Sequence, residues 1–126
     1  MIKIAILIVL IFISGCVLTP EKIAKNPDLA LKECNKLESL NEKTNCINTY
    51  AQSVAPLSKE TAVTLCKNLE DYPKNKCFFD VSNVLESSDK LDDAIVVCKL
   101  IGKEGFSEWC ESRRNKESIS VAPPLI

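Results

Sequence analysis

Seven cysteines, Cys16, Cys34, Cys46, Cys66, Cys77, Cys98 and Cys110, are the residues of this 126-residue chain best suited to covalent chemistry. A thiolate can ligate a metal, exchange with a disulfide or attack an electrophile, and in an oxidising compartment two thiols become a structural bond. Spacing discriminates among these. Zinc sites gather short clusters of ligands, and redox centres use Cys-X-X-Cys. Here the six cysteines after Cys16 pair off at 34/46, 66/77 and 98/110, too far apart for either, and the chain has no histidine. No metal and no cofactor is expected. The pattern reads as a disulfide framework.

The same inventory narrows the function classes. Without histidine the commonest general base is missing, and three glycines cannot build a Gly-rich phosphate cradle. The acid pairs Glu70-Asp71 and Asp92-Asp93 read as helix-end charges. No base, nucleophile and orienting group can be named together, so the reading is non-enzymatic. A net charge of −1 offers no basic face for nucleic acid. The only arginines, Arg113 and Arg114, are expected at a solvated helix end.

The elements that position the cysteines repeat. Cys34, Cys66 and Cys98 stand 32 positions apart. Ala30, Ala62 and Ala94 precede them by four; Asp28, Glu60 and Asp92 by six. Leu37, Leu69 and Ile101 follow by three; Asn41, Pro73 and Gly105 by seven. Five register-matched positions in three copies mark an internal repeat. In each copy the alanine, cysteine and aliphatic share one helical face. A first helix is predicted to start near Asn26-Pro27-Asp28, at Ser58-Lys59-Glu60, and near Asp89. Asn41, Pro73 and Gly105 are predicted to end it. A second helix then carries the other cysteine, with apolar stripes Cys46, Ile47, Tyr50, Val54 and Cys77, Phe78, Val81, Leu85.

The expected fold is therefore all-α: three antiparallel helix hairpins of about 32 residues, stacked as a short α-solenoid over 26–117. In an antiparallel hairpin, residues equidistant from the turn face each other. Cys34 and Cys46 are equidistant from Leu40, Cys66 and Cys77 flank Asp71-Tyr72, and Cys98 and Cys110 are equidistant from Glu104. Of the 15 connectivities open to six cysteines, Cys34–Cys46, Cys66–Cys77 and Cys98–Cys110 treats all copies alike. Each closes a loop worth roughly 2–3 kcal/mol in the chain-entropy model. In the last copy Glu111 and Arg114 replace Ile47 and Tyr50, as expected of a polar cap on a repeat stack. Trp109 is expected to fill the core beside the last disulfide, with ligand stacking as the alternative.

The repeat resembles tetratricopeptide-type helical hairpins and, more loosely, the disulfide-bridged Sel1-like repeat proteins. Both resemblances imply protein or peptide binding. The detailed motifs of those families are absent here, so no binding residue is transferred.

The N-terminus decides the compartment. Residues 4–13, IAILIVLIFI, follow a single lysine and are shorter than the ~20 residues a spanning helix needs. They match the apolar core of a secretory signal. Ile13-Ser14-Gly15-Cys16 resembles the lipobox of prokaryotic lipoproteins, which implies cleavage before Cys16 and a lipid thioether on its sulfur. The alternatives are an uncleaved signal anchor or ordinary secretion, with Cys16 in a membrane helix or bonded to another chain. Lipidation also leaves an even six cysteines to pair. The expected organisation is a signal peptide over 1–15, a lipid-anchored tether over 16–25, the helical domain, and a flexible tail over 118–126. The expected place is the extracytoplasmic face of the cell membrane, held by the lipid on Cys16. The expected role is protein or peptide binding, the alternative a structural envelope lipoprotein without a specific partner.

Overall fold

The computed structural model describes residues 18–115. The leader, Cys16 and the tail lie outside the described residues. Among the described residues there are seven α-helices and no strand. They are α1 (Pro20–Lys25), α2 (Asp28–Asn35), α3 (Leu40–Val54), α4 (Lys59–Cys66), α5 (Asp71–Ser87), α6 (Leu91–Cys98) and α7 (Glu104–Asn115). None of them is long and apolar enough to cross a membrane.

Short and long helices alternate after α1. Three of the starts have side-chain caps: Thr19, Ser39 and Ser58 accept from the backbone N–H three residues on. Asn26 accepts from Asp28 N at 3.2 Å, just before α2. The short helices stop at or just after their cysteine. In all three the chain then tightens into the same turn, with Leu37 N, Leu69 N and Ile101 N donating to the carbonyls of Cys34, Cys66 and Cys98 at 3.2, 3.0 and 3.2 Å.

Asn41, Pro73 and Gly105 do not end the short helices. They lie in the first turn of α3, α5 and α7. Proline lacks an N–H, and the first-turn N–H groups have no intrahelical partner, so the same residue fits a helix start as well as a helix end. The third start does fall near Asp89, with α6 opening at Leu91 behind Lys90, and Asp89 itself closes α5. It takes φ 60° after α5, with Asp89 N bonded to Glu86 O and Lys90 N to Leu85 O at 3.1 and 2.9 Å. That is a left-handed helix C-terminus with aspartate where glycine is commonest.

The expected tether is also corrected at its C-terminal end. Pro20–Lys25 is helical and Ile23 is fully buried. Pro20 at the first helical position, behind the Thr19 cap, starts a helix rather than preventing one. Residues 18–25 thus belong to the folded domain.

One core runs through all the helices. Ala30, Ala62 and Ala94 are fully buried with Cys34, Cys66 and Cys98. The absent side-chain bulk lets the short helices approach their neighbours closely. α3 packs on α1, α2, α4 and α5, and α5 packs on α3, α4 and α6.

Candidate functional site: bridged helix pairs and a buried arginine

Disulfides join Cys34 to Cys46, Cys66 to Cys77 and Cys98 to Cys110, each with Cα atoms 5.5 Å apart. The bonds bridge α2 to α3, α4 to α5 and α6 to α7. Five of the six cysteines are fully buried; Cys46 is partly exposed. These sulfurs are consumed as staples, and the described residues contain no group of acids and cysteines able to hold a metal ion. Cys16 lies outside the described residues.

The long helices are tied to each other across one sequence period. Asn48 of α3 donates through Nδ2 to Asp80 Oδ2 of α5 at 3.0 Å, and Lys76 Nζ holds the same oxygen at 2.7 Å. Gln52 donates to Asn48 Oδ1, so both ends of the Asn48 amide are engaged. At the next junction Arg114 of α7 donates from Nε to Ser82 Oγ of α5 at 2.8 Å. Asn48 and Asp80 are 32 positions apart, as are Ser82 and Arg114.

Arg114 corrects the expectation of a solvated helix end. It follows Cys110 by four, as Tyr50 follows Cys46 and Val81 follows Cys77, so the helical register turns it inward. Its Nη1 pairs with Glu86, its Nη2 donates to Asn83, and its guanidinium carbon sits 5.5 Å from the centroid of Phe79. Burial pushes the guanidinium below its usual pKa, yet arginine stays charged at neutral pH. Ser82, fully buried, also touches Cys98 Sγ at 3.2 Å and Cys110 Sγ at 3.7 Å. The arginine is therefore a polar plug beside the last disulfide, with its neighbours on α5 supplying the acceptors. Arg113 remains exposed, 5.0 Å from the Trp109 ring.

Trp109 packs with Phe79 and Phe106, ring centroids 5.1 and 5.6 Å away. It is partly buried against the core and makes an aromatic cluster between α5 and α7. At the other end of the chain lies a shallow, mostly apolar depression of about 540 Å³ lined by Leu37, Glu42, Asn45, Cys46, Thr49 and Tyr50.

The acid pairs take the places expected of helix-end charges. Asp71 opens α5, and Asp92 and Asp93 lie in the first turn of α6. Asp93 accepts from Lys59 Nζ at 3.1 Å. The arrangement holds helices together. No family model, no curated protein and no solved structure matches the chain, so its reading rests on its own residues.

Proposed function

We propose that this chain is a lipid-anchored, extracytoplasmic, non-enzymatic lipoprotein, held by Cys16 to a prokaryotic cell membrane and serving as a protein- or peptide-binding scaffold. One observation carries the anchor: six of the seven cysteines are bonded within adjacent helix pairs, which leaves Cys16, at the end of an apolar leader and an ISGC sequence, as the odd sulfur. Disulfides belong to oxidising compartments, and a secreted chain seldom keeps a spare thiol. A thioether at Cys16 accounts for both.

The three bridged pairs form a short tetratricopeptide-like solenoid. Three recurring features support this stacking: the turn after each first cysteine, the buried alanine four residues before it, and the cross-helix bonds between residues one period apart. In a stack of this kind the outer helix faces are available to a partner, while the staples offset the small core.

The test is the intact mass of protein extracted from membranes, alkylated with and without prior reduction. The expected mass begins at Cys16 and includes lipid, with six further thiols labelled only after reduction. A full-length mass without lipid, or thiols labelled before reduction, removes the reading. Binding is tested separately by crosslinking the anchored protein in membranes; no reproducible adduct would leave a structural lipoprotein instead.

A further inference from the structure

Three equivalent positions differ in exposure at one end of the molecule. Leu37, Leu69 and Ile101 occupy the same turn, yet Leu37 is 36% exposed where Leu69 and Ile101 are 7% and 4%. Cys46 is partly exposed where Cys77 and Cys110 are fully buried. Tyr50 is half-buried where Val81 and Arg114 are buried. All three residues of the first set line the depression on α2 and α3.

The difference follows from what precedes each bridged pair. The second pair follows α3, of 15 residues, which packs on both α4 and α5. The third follows α5, of 17 residues. Among the described residues the first follows α1, of six residues. α1 stands where the end of such a long helix stands. It packs on α2 and α3 as α3 packs on α4 and α5. Its Ala24 carbonyl accepts from Thr61 Oγ1 in the first turn of α4 at 3.2 Å, just as the Pro56 carbonyl after α3 accepts from Lys90 Nζ before α6. By this equivalence α1 points back along α3 toward Cys46. It lies on the C-terminal part of α3, and among the described residues Leu37, Cys46 and Tyr50 keep more exposure than their counterparts.

We infer that this uncovered end, bearing Leu37, Cys46 and Tyr50, rests on the surface of a phospholipid bilayer. The inference depends on the reading that Cys16 carries lipid. The chain enters α1 through Leu18, itself packed on the core. Two residues of chain span at most about 7 Å, so an anchored Cys16 brings headgroups beside this face. The chemistry suits an interface. Tyrosine and leucine partition into the headgroup boundary, and the Asn45, Thr49 and Glu42 rim can stay hydrated. The domain would then stand with its N-terminal end on the membrane and its Trp109 end outward.

The chain has one tryptophan, at that outer end, which serves as the far reporter. The lipidated protein is placed in phosphatidylcholine–phosphatidylglycerol vesicles with brominated acyl chains. Tyr50→Trp in a W109F background is compared with the unsubstituted protein, and Leu37→Trp in the same background gives a second reporter at the rim. The expected result is at least twofold quenching and a blue shift for the reporters at positions 50 and 37, and no change for Trp109. Protein that floats with the vesicles while those reporters stay unquenched overturns the inference and leaves the anchor standing. Protein that does not float, with a mass lacking lipid, removes both. Reporters unquenched by bromolipid but shielded from iodide, in a species sedimenting as a dimer, assign the face to a second copy. A mass that retains residues 1–15 assigns it to the leader. Either of these also overturns the inference.

Discussion

Arg114 and Ser82, one sequence period apart on α7 and α5, share a hydrogen bond of 2.8 Å inside the core, against the Cys98–Cys110 disulfide. The guanidinium also satisfies Asn83 and Glu86. Arg114→Ala leaves these acceptors without their donor. The expected loss is about 2–4 kcal/mol, because stranded buried polar groups cost more than the bond they made. Arg114→Lys should recover only part of it, since an ammonium cannot offer the planar fork. Urea unfolding with the disulfides intact measures both. A midpoint unchanged in the alanine variant would show that the plug is not needed.

The three disulfides should not respond alike to reductant. Cys46 is partly exposed, whereas both sulfurs of the other two bonds are fully buried. Thiol exchange requires access to sulfur. Under native conditions Cys34–Cys46 is expected to open first, and the others only on unfolding. Limited reduction followed by alkylation and peptide mapping gives the order. Equal rates for all three bonds would contradict it.

α1 is short, but its one buried side chain gives it weight. Ile23→Ala removes a fully buried isoleucine between α1 and the rest of the core. A loss of about 2–4 kcal/mol is expected for such a truncation. Hydrogen exchange at residues 23–26 should accelerate with it. A change below about 0.5 kcal/mol, within the range of surface substitutions, would detach α1 from the fold.

Asp89 holds a left-handed φ of 60° at the end of α5. Glycine adopts this conformation without the steric cost that a Cβ brings. Asp89→Gly is expected to raise stability by roughly 0.5 kcal/mol, the left-handed relief being partly offset by the freer unfolded chain. Thermal unfolding reads the sign. A lower midpoint would mean that the carboxylate has a role at the start of α6.

The helical content and the bridging of neighbouring helices were legible because both follow from local spacing. Alanine, cysteine and an aliphatic at four- and three-residue steps fall on one face whatever lies opposite. Helix ends were less legible. Pro73 and Pro20 are compatible with a stop and with a start, and only the neighbouring caps and packing decide. The role of Arg114 was hidden for a different reason. Its acceptors Ser82, Asn83 and Glu86 lie 28–32 positions back on another helix. The sequence shows a charged residue near a C-terminus; only the packing of α7 on α5 shows that it points inward. The uneven exposure of Leu37, Leu69 and Ile101 was equally out of reach, since three matched aliphatics look alike until their coverings are compared.

Each disulfide closes between residues 11 or 12 positions apart, and none crosses from one bridged pair to the next. A chain emerging N-terminus first into an oxidising compartment therefore exposes both partners of a bond almost together. Each bond can be made before the next pair of sulfurs arrives, which suppresses the mispaired combinations open to six thiols released at once. For a chain exported in this way, maturation is a vectorial sequence of local ring closures. It places little demand on an isomerase, because few wrong bonds are formed for one to correct.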